Sequence, residues 1–430
     1  MNLFLAAYDA LYTGVLRPSL FRESAGAAHE RVIALLRAGD DRAWLTPVIR
    51  AVNRASFPDQ PTLVGGVVLP HPIMLAAGFV KGDGFADENA ALAAVDAGHN
   101  IIPGWHMMPS LVGAVEFGSF TRHPRMGNIG VVVWRDAATQ STQNRIGLRN
   151  PGARAAAAFL AAQPNALPAV YGINIAVTPN VDDPDRDADE ITQAAGFFVA
   201  AAVRPSWVTL NLSCPNTDDD PRGNQSEAKA RRLCAVLIGA VDVPVWVKIS
   251  PGLSDAQLES LMRAFADCGV RAVIATNTRG EPTPDGASSA GVGGGRLYAD
   301  ALDTVRRVSA IKRAHGYAVD VIACGGILKG AHIRAYREAG ADAFQIWSAL
   351  VYRGVLAAAL ILGEAQNLSD PPPSFSRVGM GKDGDIRRGI IVNSPLGLVG
   401  QAGHTFDQAF SLLLAGRTPT ARLVIRSCNP

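Results

Sequence analysis

The side chains best suited to chemistry lie together in the stretch NLSCPNT, at residues 211–217. Two carboxamides, Asn211 and Asn216, flank the thiol of Cys214 at the end of an apolar run that is typical of a strand. A carboxamide offers donors and acceptors, which suits the edge of a planar ring bearing alternating C=O and N–H groups. A thiolate is both a base and a nucleophile, with an ordinary pKa of about 8.5. We therefore predict that Cys214 is a reactive side chain that could act as a base or as a nucleophile. An inert buried thiol is the alternative, which we adopt for Cys234, Cys268, Cys324 and Cys428.

Eight short apolar runs between residues 65 and 363 could position these side chains, because they alternate with helical stretches. That alternation predicts an α/β fold with a parallel sheet covered on both faces, and eight strands close a (β/α)8 TIM barrel. Polar residues and glycines gather at the C-terminal ends of the runs, where barrel active sites lie. An open doubly wound sheet is the alternative, but no GxGxxG follows an early strand. The predicted strands lie within residues 72–78, 100–105, 169–177, 207–214, 243–251, 272–278, 319–326 and 343–349.

The two ends of the chain differ from the predicted barrel. Apolar stripes at helical spacing predict two short helices in residues 1–40, the first ended by Pro18 and the second by Gly39. The hairpin either packs on the barrel or offers an apolar surface to a membrane interface or a lipid-soluble substrate. We find no chemistry after residue 363. The predicted division is an N-terminal helical hairpin (1–45), a barrel (46–363) and a C-terminal extension (364–430).

The composition excludes several classes of function. A formal net charge of +2 gives no reason to expect a nucleic-acid partner. Five cysteines without CxxC spacing argue against a disulfide framework and a metal site, and they suit a reducing cytoplasm. The sequence contains no apolar stretch of about 18 residues, so we expect no transmembrane helix. The N-terminus lacks a basic region, so we expect no signal peptide.

Several motifs besides NLSCPNT resemble those of the dihydroorotate dehydrogenase family, and they occur in the family's order. AAGFVKGDGF (76–85) is similar to the family's first-strand loop, with Val80 in place of the usual Asp and Lys81 retained. The resemblance extends over about residues 9–363. Further similar segments are QNRIGLRN (143–150), GINIA (172–176), VKISPGLSD (247–255), TNTRG (276–280), GVGGGRL (291–297), CGGILKG (324–330) and AGADAFQIWSALVYRG (339–354).

The resemblance implies an FMN enzyme that oxidises dihydroorotate to orotate in pyrimidine biosynthesis. In that reaction one ring carbon loses a proton, for which Cys214 is the candidate base, and the next loses a hydride to the flavin. Lys81 would counter the substrate carboxylate and the developing enolate charge. The residues on positions that hold orotate are Lys81, Asn144, Asn211, Asn216, Asn277 and Thr278. The residues on FMN positions are Ala77, Gly78, Asn174, Asn211, Lys248, Thr276, Gly294, Gly325, Gly326, Trp347 and Ser348.

Simple physics supports two of these implied roles. Gly325 and Gly326 let backbone N–H groups approach a phosphate, at the usual phosphate site of such barrels. Lys248 at a strand end can stabilise negative charge on a reduced flavin. A tight turn and a surface lysine are the alternatives.

The electron acceptor is less clearly indicated, because the chain resembles two branches of the family. Cys214 resembles the soluble branch, which uses fumarate or NAD, whereas residues 11–37, with His29, resemble the N-terminal hairpin of the quinone branch. Arg135 matches a position that lines the quinone tunnel in that branch. We expect a quinone acceptor, a cytoplasmic protein and peripheral contact of residues 3–37 with the inner face of the cell membrane. The sequence does not predict the oligomeric state.

Two further interpretations stay open. Val80 and the stretch WHMMP (105–109) depart from the family pattern and allow a paralogue that acts on a related pyrimidine ring. A non-catalytic flavoprotein, retained as a binding module, is the other. Cys214, Lys81 and Lys248 favour a catalyst, because an inactive site would not need a base.

Overall fold

The structure is a computed structural model that describes residues 3–42, 44–57, 60–163, 166–179, 183–213 and 225–367. The chain divides into two compact units, residues 1–369 and 370–430, and every described residue belongs to the first unit. Most of the predicted C-terminal extension therefore lies outside the described residues. In the described part, no helix has both the length and the apolar character needed to cross a membrane.

The described chain begins with helices. They are α1 (Leu3–Leu11), a π-helical turn (Tyr12–Leu16), α2 (Arg17–Phe21), α3 (Ala25–Asp40) and α4 (Leu45–Ser56). The prediction that Pro18 ends the first helix is wrong, because α1, the π turn and α2 follow one another without a break. Pro18 lies at the start of α2, directly after the wider π turn, where its missing N–H interrupts little. Ser24 starts α3, and its hydroxyl accepts a hydrogen bond from the N–H of Ala27. We call residues 3–40 the hairpin.

Eight parallel strands close a barrel after an antiparallel pair formed by β1 (Thr62–Val64) and β2 (Val67–Leu69). The barrel strands are β3 (Ile73–Leu75), β4 (Val115–Phe120), β7 (Tyr171–Ala176), β8 (Trp207–Asn211), β9 (Val245–Ile249), β10 (Ala272–Ala275), β13 (Asp320–Cys324) and β14 (Ala343–Ile346). They neighbour one another in chain order, and β14 pairs with β3 to complete the circle. The predicted (β/α)8 barrel is confirmed.

The second barrel strand is not the predicted one. Residues 100–105 form bends and turns that include Pro103 and Gly104, and the strand is β4 instead. Ile101 and Ile102 are nevertheless buried, which explains why this run has the apolar character of a strand. β4, with the sequence VEFGSF, is buried along its whole length although it contains Glu116. This strand was not predicted, because buried parallel strands usually form continuous apolar runs and Glu116 interrupts this one.

The two ends of the barrel are built differently. At the N-terminal end, the Trp207 and Trp246 rings stack with their centroids 4.4 Å apart, in a cluster with Val64 and Leu69 of the β1–β2 pair. Near the C-terminal end, a four-stranded antiparallel sheet in the order β11-β12-β6-β5 contributes residues to a cavity. Its strands are β5 (Val133–Asp136), β6 (Ser141–Asn144), β11 (Arg279–Pro282) and β12 (Ser289–Gly294).

Helices pack around the barrel and bury its outer face. They are α5 (Glu88–Asp96), α6 (Met107–Val112), α7 (Ala153–Ala161), α8 (Pro184–Ala200), α9 (Glu227–Ala240), α10 (Asp255–Cys268), α11 (Tyr298–His315), α12 (Gly330–Glu338), α13 (Ser348–Arg353) and α14 (Ala357–Asn367). A capping box of Ser254 and Gln257 begins α10, and Gly269 ends it in a left-handed conformation. The predicted division at residues 45 and 363 stays a prediction; helices extend across both points, as α4 and α14.

Candidate active site

One cavity at the C-terminal ends of the barrel strands brings most of the predicted site residues together. Asn211 ends β8, Thr276 follows β10 and Gly325 follows β13, so the closure of the barrel makes these distant positions neighbours. Cys214 and Asn216 lie outside the described residues. The predicted residues in the lining are Ala77, Gly78, Lys81, Asn144, Asn211, Lys248, Thr276, Asn277, Thr278, Gly294, Gly325, Gly326, Trp347 and Ser348.

Two glycine segments meet at one side of this cavity. Gly294 and Gly326 have φ angles of +82° and +63°, which residues with side chains rarely adopt. A Cβ on Gly326 would lie 2.7 Å from the carbonyl oxygen of Gly294, and one on Gly325 would lie 2.5 Å from the Cβ of Ala301. Space and conformation therefore both require glycine. Backbone N–H groups brought together in this way are suited to a phosphate.

Lys248 supplies a positive charge to the same cavity from β9. Its side chain is buried, and its Nζ donates to Gln345 Oε1 at 3.3 Å and lies 3.6 Å from Cys324 Sγ. Burial raises the pKa of the Cys324 thiol, although the Lys248 ammonium opposes that effect. Cys324, which the sequence led us to regard as inert, therefore lines the cavity as a neutral partner of the lysine at neutral pH.

Asn174 provides a test of what the site could hold. It lies on β7 and is fully buried, and neither polar atom of its amide has a hydrogen-bond partner among the described residues. The Thr278 hydroxyl is likewise buried and without a described partner. Thr278 lines the cavity, whereas Asn174 lies outside its lining. Because buried polar groups are almost always paired, the unpartnered atoms of both residues suit a bound ligand with polar edges. A planar ring with polar edges, such as a flavin, fits them.

Carboxamides dominate another part of the lining. The Asn277 Nδ2 donates to the backbone oxygen of Ser213 and lies 3.4 Å from Asn211 Oδ1. Asn211 in turn donates from Nδ2 to Ser119 Oγ at 3.1 Å. The ends of β8 and β10 thus form a cluster of amides directly before residue 214. Such a cluster can read the alternating C=O and N–H groups of a pyrimidine-like ring.

A second cavity lies between the hairpin and the barrel. Its lining includes His29 and Ile33 of α3 together with Phe79, and it shares Lys81 and Ile146 with the first cavity. The shared residues place the two cavities side by side. Burial, with a smaller contribution from the Lys81 ammonium, lowers the pKa of His29 to about 4, so this histidine is neutral at pH 7.

Arg135 lies in neither lining. Its guanidinium donates hydrogen bonds to the backbone oxygens of Leu20, at 3.2 Å, and of Glu23, and its centre lies 4.4 Å from the centroid of the Phe21 ring. It therefore holds the bend between α2 and α3. Its predicted role as a contact for the electron acceptor stays a prediction.

Three polar side chains of the cavity lining were not predicted from the sequence. Gln345, Ser119 and Thr142 all line the site, and the Thr142 and Ser348 hydroxyls lie 2.7 Å apart. A polar Gln345 inside the apolar run AFQIW was a usable signal, because a strand interior rarely contains an amide without a partner. Ser119 and Thr142 gave no comparable signal.

Comparisons with known proteins identify the family of this chain. Residues 61–368 match the family model described as dihydroorotate dehydrogenase. The chain belongs to the dihydroorotate dehydrogenase family. Members of this family are flavin enzymes.

Curated relatives match most of the chain. A protein of Chromobacterium violaceum named dihydroorotate dehydrogenase (quinone) is 32% identical over 361 residues, covering 79% of this chain and 93% of its own. A protein of the same name from Bordetella avium is 30% identical over 391 residues, covering 85% and 99%. Among solved structures, a DHODH from Eimeria tenella in complex with ferulenol is 22% identical with a TM-score of 0.64, covering 82% of this chain and 94% of its own. That likeness supports the fold.

Proposed function

We propose that this chain oxidises dihydroorotate to orotate with FMN as its cofactor and passes the electrons to a quinone. The observation that carries the proposal is the set of residues that line one cavity. Glycine segments and a buried lysine suited to a phosphate and a reduced flavin lie in the same lining as the amides of Asn211 and Asn277. The relatives named dihydroorotate dehydrogenase (quinone) support the choice of substrate and acceptor.

The cofactor would be held from several strand ends. Gly294, Gly325 and Gly326 would bind the phosphate through backbone N–H groups, and Asn174 would direct its unpaired amide at a polar edge of the ring system. Lys248 would lie near the part of the ring that gains negative charge. When bound, FMN supplies the acceptor for the substrate hydride.

The chain's own residues would orient dihydroorotate and remove its proton. Asn211 and Asn277 would bind the ring amides, and Lys81 would neutralise the carboxylate. Cys214 follows Ser213, whose backbone oxygen accepts a hydrogen bond from Asn277, so the chain enters residue 214 directly from this amide cluster. We assign the proton abstraction to Cys214, a role worth about 10²–10⁴-fold in rate.

The acceptor would enter through the cavity beneath the hairpin. This cavity meets the first at Lys81 and Ile146, and the hairpin carries exposed apolar side chains at Leu3, Leu11 and Val15. An element that lines a cavity and also carries exposed apolar side chains suits a lipid-soluble quinone and peripheral contact with the inner face of the cell membrane. Use of fumarate or NAD is the second candidate, favoured by the Cys-type motif NLSCPNT.

Anaerobic flavin bleaching tests the central proposal. Purified protein should show flavin absorbance from noncovalently bound FMN, and dihydroorotate added without oxygen should bleach it. Protein that binds no FMN even with excess cofactor would refute the flavin assignment. Bound FMN that dihydroorotate leaves oxidised would instead favour a non-catalytic flavoprotein or a paralogue, which a panel of related dihydropyrimidines would separate.

A further inference from the structure

Glu116 is a buried carboxylate that the proposed reaction does not use. It lies on β4 with no solvent exposure, and its hydrogen-bond partners among the described residues are uncharged. Its Oε1 accepts hydrogen bonds from Trp207 Nε1, at 3.3 Å, and from the Thr209 hydroxyl. Its Oε2 accepts one from Gln345 Nε2 at 3.1 Å. An apolar side chain would fill this volume without the cost of burying a charge, so the carboxylate calls for a function.

Gln345 connects this carboxylate to the cofactor cavity. Its amide nitrogen donates to Glu116, and its amide oxygen accepts from Lys248 Nζ at 3.3 Å. A carboxylate can only accept hydrogen bonds and an ammonium can only donate them. The two ends of the amide therefore face groups of opposite kind, and the orientation of Gln345 is determined by both. A reversed amide would present NH2 to an ammonium, which is repulsive.

We propose that Glu116 is a positioning residue that holds Lys248 at the cofactor through Gln345. The inference rests on the proposed flavin function and adds residues on β4 and β14 to it. Glu116 directs the amide of Gln345, and the amide oxygen keeps the ammonium of Lys248 at the cavity wall. The charge of Lys248 is then available to the reduced cofactor, which carries more negative charge than the oxidised one.

Glu116→Gln is the sharpest variant, because it keeps the shape and removes one acceptor. The new amide has a single oxygen for three donors, and two of those donors, Trp207 and Thr209, approach the same side. The NH2 group of the new side chain would then face Gln345. The Gln345 amide must therefore rotate, so that its oxygen faces this NH2 group and its own NH2 group faces Lys248. The ammonium should move away from the cofactor.

The readout is the affinity of the apoprotein for FMN in its two oxidation states, measured by fluorescence quenching for oxidised FMN and by spectroscopic potentiometry for the couple. We expect the Kd of reduced FMN to rise about tenfold relative to that of oxidised FMN, which lowers the two-electron potential by about 30 mV. Simple removal of a buried negative charge predicts the opposite sign. The sign therefore distinguishes positioning from a bare electrostatic effect.

Two further variants complete the design. Thr209→Val removes a donor from the same carboxylate on the oxygen that does not face Gln345, so it should leave the potential unchanged. Gln345→Met removes the connection at similar volume, and the double variant Glu116→Gln/Gln345→Met should show no shift beyond that of Gln345→Met alone. Thermal unfolding of each apoprotein checks the fold.

A potential that rises or stays constant in Glu116→Gln, or additive shifts in the double variant, would overturn the proposal. These outcomes are distinct from a failure of the proposed function. If the parent protein binds no FMN, the flavin assignment itself is wrong. If it binds FMN with the expected variant shifts but dihydroorotate does not bleach it, the positioning role stands and only the substrate is wrong.

Discussion

The barrel cavity and the hairpin are held in place in different ways. The cavity is lined by strand ends and adjoining loops that the closed barrel brings together, and the buried Lys248 contributes to this lining. The hairpin is anchored by buried apolar side chains, such as Leu5 and Leu36, and by polar contacts. Tyr12 donates its hydroxyl to the backbone oxygen of Val351 at 3.0 Å, and Arg37 pairs with Asp83 at 2.9 Å.

The outward faces differ as well. Leu3, Val15 and Leu35 of the hairpin are 88%, 58% and 66% exposed, whereas the barrel strands are buried along almost their whole length. A buried interior suits a site that must orient a ring, and an element with exposed apolar side chains suits contact with a membrane. The difference indicates that the flavin half-reaction and the acceptor half-reaction are structurally separable.

Deletion of residues 1–40 should have the largest effect, because it should separate the reaction with the acceptor from the reduction of the flavin. Turnover with quinone should be abolished, while dihydroorotate still bleaches the flavin in a single turnover, because the deleted segment lines only the second cavity. The measurement compares quinone, fumarate and NAD as acceptors for both proteins, with flavin absorbance confirming the fold. Full quinone activity in the truncated protein, or a preference for fumarate in the parent, would make the hairpin structural.

Cys214→Ser should affect only the substrate side. Flavin reduction should slow by about 10²–10⁴-fold near neutral pH, because a serine hydroxyl is far less acidic than a thiol, and FMN should stay bound. Stopped-flow bleaching across about pH 6–10 follows the effect around the ordinary thiol pKa. Equal rates for the variant and the parent at every pH would eliminate Cys214 as the base.

Gly326→Ala should weaken the cofactor end of the cavity. The added Cβ would meet the Gly294 carbonyl and strain a φ of +63°, so the Kd of FMN should rise about 10–100-fold in titrations of the apoprotein. Gly269→Ala is the matched control, since Gly269 has a φ of +85° but open space around it, at the end of α10. An equal loss of FMN affinity in both variants would indicate general destabilisation rather than a phosphate site.

The smallest expected effect is a pH-dependent loss of stability at two histidines, one in the hairpin and one next to the barrel. Burial lowers the pKa of both His29, on α3 of the hairpin, and His71, directly before β3, to about 4. Above pH 6.5 neither state binds the proton; as the pH falls from 6.5 toward 4, only the unfolded state does, so stability is lost. Each histidine should contribute up to about 2 kcal/mol of this loss at pH 5.

Hydrogen exchange at pH 7 and pH 5 can separate the two histidines. His29→Gln should reduce the acid-induced opening of α3 without changing that of the barrel strands, whereas His71→Gln should act on global unfolding. If both variants altered the same global transition, the hairpin and the barrel would unfold as one unit, and the proposed separation would fail.

Local patterns were enough to predict much of this protein. The NLSCPNT stretch, the glycine pair at Gly325 and the alternation of apolar runs are all read within a few residues, and the barrel they predicted is confirmed. Closure of a parallel barrel then follows from general rules, which is why most of the predicted site residues line one cavity. Two predictions from local signals were wrong: the helix end at Pro18 and the strand in residues 100–105. In both, the tertiary structure overrode the local preference.

Only the tertiary structure could reveal the connection between Glu116, Gln345 and Lys248. The three residues lie on β4, β14 and β9, and each alone looks like an anomaly within an apolar strand. Their role depends on which donor faces which acceptor, and the periodicity of the sequence does not predict these hydrogen bonds. The sequence determined which residues would stand at the strand ends. The closed barrel determines which buried polar groups contact them. A buried polar side chain needs hydrogen-bond partners, and here those partners are distant in the chain.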